Sequence, residues 1–215
     1  MFSVIIPTIW SPSIESIDKL IDNLSICNDI TEIIIINNNI SKYIDRYNKN
    51  EKVKEFGFNN IYVNQSWNFG SLNCSSEYIC LMNDDIDFNT DIFKFMKKSF
   101  SENDCVKLVG VSKSSYTLLE DQEYKLESVI IRNRGWGCLI FIRKGDYTPI
   151  PNDLKIHFGD DYLIKKLNGF VWKIEGLKIT SEISTSVNSN PEFLNIIEQD
   201  NHNSIKYELP WSNDY

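Results

Sequence analysis

An acidic cluster interrupts an apolar stretch in the segment CLMNDDIDF, residues 80–88. Asn83, Asp84, Asp85 and Asp87 directly follow residues of the kind that fill a buried strand. Because like charges repel at this spacing, a cation is expected to stabilise them. Aspartate oxygens suit Mg²⁺ or Mn²⁺, which takes one or two protein carboxylates and completes its shell with substrate phosphates. The cluster therefore predicts a divalent metal site, and the alternative is that it only caps the following helix.

A second acidic pair, Asp160 and Asp161, lies in HFGDDYLIKKLNGF at the start of a predicted helix. Backbone amides at a helix N-terminus stabilise a carboxylate there. A neighbouring like charge can keep one of the two carboxylates basic enough to accept a proton. This arrangement favours a general base, and the alternative is an ordinary helix cap.

Alternating strands and helices must position these two acidic motifs. The continuous apolar run of residues 33–36 is typical of a strand covered on both faces, as in parallel sheets. After the first strand, apolar residues recur at helical spacing, and Ser11 and Pro12 are placed to start this helix. Strands are predicted at residues 3–7, 33–36, 60–63, 77–82, near 109, 137–143 and 170–174. Helices are predicted at residues 14–24, 66–75, 91–100, 160–167 and 191–199, a loop or hairpin at 112–133, and a polar tail from 201 that becomes ordered with ligand. This alternation predicts an α/β fold with right-handed crossovers and a mostly parallel sheet, as one domain over residues 1–215.

Three predicted strands end in polar residues, at Pro7–Thr8, at residues 37–39 and at residues 83–85. Ligands of open α/β sheets bind at the carboxyl ends of the strands. If these strands are neighbours, their ends form one crevice.

Composition narrows the class of protein. With 42% hydrophobic and 24% charged residues, the chain resembles an ordinary globular protein, and no apolar run is long enough to span a membrane. The N-terminus lacks the basic region of a signal peptide, so a cytoplasmic location is expected. The net charge of −8 disfavours a nucleic-acid grip based on bulk electrostatics. Five cysteines without a CxxC pair favour free thiols over disulfides or zinc.

The segments SVIIPT, EIIIINNN and NQSWNFGSLNCSSEYICLMNDDID resemble those of nucleotide-diphospho-sugar transferases of the GT-A fold, family 2. In this resemblance Asn68–Gly70 matches an N-x-G stretch, and Asn83–Asp85 matches the DxD motif with Asn in the first place. Residues 157–170 are similar to the segment of that family whose second acid is the catalytic base. The resemblance covers roughly residues 1–175. It implies a Rossmann-like, three-layer α/β/α sandwich with a mostly parallel central sheet.

The resemblance also implies site residues. The residues implied to bind the nucleotide sugar are Pro7, Thr8, Asn37, Asn38, Asn68, Asn83 and Asp84. The implied metal ligands are Asp85, Asp87 and His202, and the implied catalytic residues are Asp161 and Asp160. The implied cofactor is Mn²⁺ or Mg²⁺. The implied reaction is inverting transfer of a hexosyl or pentosyl group from a nucleotide sugar to an acceptor hydroxyl. Many relatives have Asp where Asn37 or Asn38 stands, so the nucleotide preference stays open. The acceptor is equally open between a glycan, a lipid-linked sugar, a protein and a modified nucleic acid, and a homo-oligomer is possible.

Two other functions compete with transfer. A sugar nucleotidyltransferase would need a glycine-rich, basic loop after the first strand, and PTIWSPS contains neither glycine nor lysine. An inactive GT-A-like binding domain would not need both acidic motifs.

His202 is alternatively a solvated residue, and His157 is expected to pack beside the site. Trp136 is either a sugar-stacking or a core residue, and Arg132 and Arg134 are expected in a solvated loop, with phosphate contact as the alternative.

Overall fold

A computed structural model of the chain describes residues 1–10, 13–42, 46–47, 49–129, 135–168, 171–181 and 191–209. The strands are β1 (Phe2–Thr8), β2 (Ile30–Asn37), β3 (Val53–Gly57), β4 (Tyr78–Met82), β5 (Ile86–Phe88), β6 (Leu108–Val111), β7 (Lys125–Ser128), β8 (Leu139–Arg143), β9 (Val171–Glu175) and β10 (Ile179–Ser181). The α-helices are α1 (Ile14–Ile26), α2 (Tyr62–Asn73), α3 (Ile92–Glu102), α4 (Gly159–Lys166) and α5 (Pro191–Ser204). Short 3₁₀ turns lie at Lys113–Tyr116, Trp136–Cys138, Lys144–Asp146 and Ile205–Tyr207.

Eight of these strands form one mixed sheet in the order β3-β2-β1-β4-β8-β6-β9-β7. The neighbours β3, β2, β1 and β4 are all parallel, and so are β6 and β9. The strand β8 is antiparallel to both β4 and β6, and β7 is antiparallel to β9. A separate two-stranded sheet pairs β5 with β10. The predicted α/β class with a mostly parallel sheet is confirmed.

Two apolar cores lie on opposite faces of the sheet. Successive side chains of a strand point to opposite faces; accordingly Val4 and Ile6 of β1 pack in one core, and Ile5 packs in the other. The helices α1 and α3 contribute to the first core, and α2 and α4 contribute to the second. The predicted three-layer arrangement follows from this alternation.

The N-cap of helix α1 lies two residues after its predicted position at Ser11. The Oγ of Ser13 accepts the N–H of Ser16 at 3.2 Å and is the N-cap. Ser11 and Pro12, which were predicted to start this helix, lie outside the described residues.

The strand predicted at residues 60–63 is wrong. The side chain of Asn60 accepts the N–H of Tyr62 at 3.2 Å, and this turn leads directly into α2. The strand in this region is β3, in the preceding sequence VKEFG, which pairs with β2. Tertiary pairing and turn chemistry thus outweigh the β propensity of Ile61 and Val63.

The second half contains short elements. Within the predicted excursion at residues 112–133, β7 pairs with β9, and residues 130–134 lie outside the described part. Helix α5 extends to Ser204, beyond its predicted end at residue 199. None of the helices in the described part is long and apolar enough to cross a bilayer.

A buried carboxylate, Glu32, connects the amino ends of the parallel strands. It accepts hydrogen bonds from Ser3 Oγ at 2.5 Å, from the N–H and Oγ of Ser75 at 2.5 and 2.8 Å, and from Lys54 Nζ at 2.6 Å. Burial acts to raise the pKa of Glu32, but these hydrogen bonds outweigh it and lower the pKa to about 2. The ionised carboxylate therefore stabilises the fold at the edge opposite the strand ends discussed below.

The Glu32→Gln variant is expected to be less stable by about 3 kcal/mol at pH 7, from the size of the pKa shift. A lowered pKa contributes stability above the unfolded value of 4.5, and this contribution is lost as the pH falls toward about 2. Urea denaturation from pH 7 to pH 2 should show the gap between wild type and variant closing below pH 4.5. A matched control is Glu102→Gln. Glu102 is exposed, and its ion pair with Lys98 is long, at 3.9 Å, so it should contribute little to stability. A gap of constant size down to pH 2 would contradict this account.

Candidate active site

A cavity of about 100 Å³ lies at the carboxyl edge of the parallel strands. Because β1 is parallel to both of its neighbours, β2 and β4, the segments leaving these three strands meet at one edge, as predicted. The lining residues are Pro7, Thr8, Ile9, Asn38, Asn60, Tyr62, Val63, Asp84, Ile156 and Phe193. Each of the three strand ends therefore contributes at least one lining side chain.

Four non-glycine residues around this cavity have a left-handed backbone: Trp10 (φ 59°), Asn60 (φ 41°), Tyr62 (φ 63°) and Phe158 (φ 62°). Asn60 and Tyr62 line the cavity, and the other two stand one or two residues from lining positions. Such conformations cost about 1–3 kcal/mol each and persist where the surrounding structure enforces them. Their concentration here indicates an edge shaped for a ligand.

The two asparagines after β2 have different surroundings. Asn38 lines the cavity, and its side chain donates to Ser66 Oγ and accepts the N–H of Ile61, both at 2.9 Å. It thereby fixes the turn that enters α2. Asn37 is fully buried and donates to Glu55 Oε1 at 3.0 Å. Asn37 is not among the lining residues of the described part, and its contact with a nucleotide stays a prediction.

Two adjacent carboxylates, Asp84 and Asp85, follow β4, and the first of them lines the cavity. Burial, followed by the negative charge of Asp85, raises the pKa of Asp84 to about 7, although a hydrogen bond with Thr8 acts in the opposite direction. At neutral pH the pair therefore resists carrying two negative charges. A bound cation would remove this conflict.

The donor set fits a divalent ion of the Mg²⁺ or Mn²⁺ type. Within the described residues no group of three or more His, Cys, Asp or Glu side chains surrounds a common point. A cage made wholly of protein ligands, as for structural zinc, is therefore not formed in this part of the chain. Mg²⁺ and Mn²⁺ require only one or two carboxylates when phosphates complete the shell. Asp84 and Asp85 would supply such a pair.

The two outer candidates for the metal lie in different surroundings. Asp87 is on β5, where its carboxylate accepts a hydrogen bond from Lys19 Nζ at 2.6 Å, and both side chains are more than half exposed. His202 is exposed in the last turn of α5. Neither residue is among those that line the cavity, and their roles as metal ligands stay predictions.

The second acidic pair occupies the first turn of α4. Asp161 is only 6% exposed, and its N–H donates to Asp160 Oδ1 at 3.0 Å. The positive end of the helix dipole stabilises negative charge at this position. Asp161 is thus the more deeply buried of the two acids, and its role as the catalytic base stays a prediction.

A 3₁₀ turn before β8 joins the two acidic motifs. The N–H of Asn83 donates to the carbonyl of Cys138 at 3.0 Å, while a Cβ on Gly137 would stand 2.6 Å from Asp160 Oδ2. Burial is the main cause that raises the pKa of Cys138 to about 12, and the charges of Asp85 and Asp160 add to it. The thiol therefore stays protonated, and the charge of one carboxylate from each motif reaches it.

Trp136 in this turn is a core residue. It is fully buried and donates its indole N–H to the carbonyl of Trp172 at 3.2 Å. A Cβ on Gly110 would stand 2.3 Å from its ring. The sugar-stacking interpretation is therefore wrong. Arg132 and Arg134, the candidates for phosphate contact, lie outside the described residues.

The Asn-x-Gly stretch positions α2. Asn68 accepts hydrogen bonds from the N–H of Ile150 and the hydroxyl of Tyr147, both at 2.8 Å, and donates to the carbonyl of Ile150. A Cβ on Gly70 would stand 2.4 Å from Ile5, so glycine allows α2 to pack directly on β1. Contact between Asn68 and a nucleotide stays a prediction.

Sequence reasoning missed six of the lining residues: Ile9, Asn60, Tyr62, Val63, Ile156 and Phe193. Tyr62 was assigned to a strand, whereas it begins α2. Ile156 and Phe193 come from distant parts of the chain and reach the cavity only through tertiary packing. No local pattern marks them, but the asparagine before Tyr62 is a turn signal that could have revealed the helix start.

Comparison with known proteins identifies the fold to which this site belongs. No protein-family model matches the chain, and no curated protein matches it by sequence. Among solved structures, S. aureus TarS 1–349 in complex with UDP-GlcNAc gives a TM-score of 0.61 over 94% of this chain and 65% of that one, at 14% identity. GalNAc-T7 with UDP, GalNAc and Mn²⁺ gives a TM-score of 0.66 over 84% of this chain and 43% of that one, at 10% identity. Both are GT-A glycosyltransferases. This chain has the GT-A fold.

This chain covers 65% of the length of the TarS chain and 43% of the length of the GalNAc-T7 chain. At such low identity the likeness establishes the fold and leaves the activity to be argued from the site. The strand-end cavity, the Asp84–Asp85 pair and the Asp160–Asp161 pair are the features on which that argument depends.

Proposed function

We propose that this GT-A protein is a metal-dependent glycosyltransferase of the family 2 type, which moves a sugar from a nucleoside diphosphate to an acceptor hydroxyl with inversion. The supporting observation is that one carboxylate of each acidic pair, Asp85 and Asp160, acts on the same buried thiol, Cys138, and that Asp84 lines the strand-end cavity. One pair holds the donor and the other activates the acceptor.

The donor side is built from the strand ends. The nucleoside occupies the cavity, where Thr8 and Asn38 contact it, and Asp84 reaches the ribose or the metal. Asp85 is the principal ligand of a divalent ion, which when bound neutralises negative charge on the departing diphosphate. The solved structures of TarS and GalNAc-T7 contain UDP-GlcNAc and UDP respectively, which supports a nucleotide-sugar donor.

The acceptor side is the first turn of α4. Asp161 takes the proton from the acceptor hydroxyl while the hydroxyl oxygen forms a bond to the anomeric carbon. The bond from that carbon to the diphosphate breaks, and the electron pair leaves with the diphosphate. One displacement from the opposite face inverts the anomeric centre without a covalent enzyme intermediate. Asp160 accepts the N–H of Asp161 and so orients the turn.

A thermal-shift screen of UDP-, GDP-, CMP- and dTDP-sugars with and without Mn²⁺ tests the proposal. A true donor at 100 times its Kd stabilises the protein by about 2.7 kcal/mol and raises the Tm by roughly 5–10 °C. We expect one nucleotide class to give this shift and EDTA to reduce it. Hydrolysis of that donor, followed by release of free sugar, separates an enzyme from a binding domain. The absence of any shift at millimolar donor would contradict the proposal.

A further inference from the structure

A short segment between the cavity and α4, residues 154–157, is held by a buried carboxylate; we call it the clamped segment. Asp200 on α5 is fully buried. Its carboxylate accepts the backbone N–H groups of Lys155 at 2.8 Å, Ile156 at 2.7 Å and His157 at 2.8 Å. Hydrogen bonds to an ionised acceptor are roughly twice as strong as neutral ones. Asp200 therefore fixes three successive amides from one side.

A second buried side chain holds the carbonyls of the same segment. Asn64 on α2 is also fully buried. Its Nδ2 donates to the carbonyl of Leu154 at 3.2 Å and to that of His157 at 3.0 Å, and its backbone N–H donates to the carbonyl of Lys155 at 3.0 Å. The clamped segment is thus gripped through its donors by α5 and through its acceptors by α2.

The clamped segment connects the two halves of the site. Ile156 lines the cavity. Phe158 then turns with a φ of 62° and starts α4, on which Asp161 stands. A Cβ on Gly159 would lie 2.1 Å from Asn64 Oδ1, so the first residue of α4 packs directly on Asn64. One side chain therefore sets both the segment and the start of the helix.

We propose that Asp200 and Asn64 are positioning residues that fix the acidic turn of α4 relative to the cavity. Both side chains are fully buried, so they act through the backbone of the clamped segment rather than through contact with a substrate. The consequence for catalysis depends on the proposed function, in which Asp161 is the base. The clamp itself depends only on the hydrogen bonds described above.

The Asp200→Asn variant tests the proposal. Asparagine keeps the shape, but its amide NH₂ replaces one carboxylate oxygen. This NH₂ cannot accept a backbone N–H, so at least one of the three hydrogen bonds is lost. Hydrogen exchange over residues 154–158 should become at least about tenfold faster. The kcat for UDP-GlcNAc hydrolysis should fall about 10- to 100-fold, because small misplacements of a catalytic group have effects of this size. The Kd for UDP should change less than about threefold, because most lining residues belong to other segments.

A second variant and a control complete the experiment. Asn64→Ser removes the two side-chain hydrogen bonds to the carbonyls of Leu154 and His157 and should give the same pattern. Asp153→Asn is the control, because Asp153 precedes the segment and pairs with Lys206 and Tyr207 near the surface. It should leave both exchange and kcat unchanged.

Unchanged exchange and kcat in both clamp variants would overturn the proposal. So would unfolding of both variants at 15 °C, since the two residues would then stabilise the whole fold rather than position one turn. Failure of the wild type to bind or hydrolyse any of the screened nucleotide sugars would count against the proposed function, whereas hydrogen exchange in the same variants still decides whether the clamp exists.

Discussion

The Asp161→Asn variant is expected to lose sugar transfer while it retains donor binding. An amide cannot accept the proton of the acceptor hydroxyl, and loss of a general base typically lowers the rate about 10²- to 10⁴-fold. Asparagine has the same shape, so the nearly buried position in α4 should still be filled. Turnover is measured as release of the nucleoside diphosphate from the donor, and donor binding is measured by calorimetry.

Asp160→Asn is the matched variant for this experiment. Its amide oxygen can still accept the N–H of Asp161, so its effect on turnover should be much smaller than that of Asp161→Asn. A larger loss in Asp160→Asn would exchange the roles of the two acids. Wild-type turnover in Asp161→Asn would remove Asp161 from the mechanism.

Under the proposed function, Mn²⁺ increases the affinity for the nucleoside diphosphate of the donor, tested here as UDP, and the Asp85→Asn variant is expected to lose this gain. A neutral amide is a poor ligand for a hard divalent cation, and the charge that attracts the cation disappears with the carboxylate. In the presence of Mn²⁺ the Kd for UDP should rise at least about tenfold, or about 1.4 kcal/mol, to the value that the wild type shows in EDTA. Calorimetric titration of UDP with and without Mn²⁺ measures this difference.

Asp22→Asn serves as the control for charge removal, because Asp22 is exposed on α1. It should leave the response to Mn²⁺ intact. A full Mn²⁺ response in Asp85→Asn would show that Asp85 is not a metal ligand. Asp87→Asn and a His202 substitution, assayed in parallel, show whether either residue takes part.

The elements with strong local signals could be predicted from the sequence. Continuous apolar runs identified β1, β2 and β4, and the polar residues that end them indicated one shared edge. The acid pair followed by helical periodicity identified the start of α4. In each case the local pattern and the tertiary environment demand the same structure.

Features set by distant partners could not be predicted. Residues Ile61 to Val63 favour a strand by propensity, but a side-chain turn at Asn60 starts a helix there. Asp200 has backbone amides as its partners, 43–45 positions earlier in the chain. Backbone amides are present at every residue and carry no sequence signature. The joining role of Cys138 likewise depends on a close approach that only the folded chain reveals.

Determination of a crystal structure with UDP and Mn²⁺, with anomalous scattering to locate the ion, tests the central claim most directly. The account predicts a manganese peak within coordinating distance of Asp85 and of the diphosphate, with the uracil in the cavity beside Thr8 and Asn38. A structure in which UDP binds elsewhere, or in which Asp85 contacts solvent with no ion near it, would contradict the account.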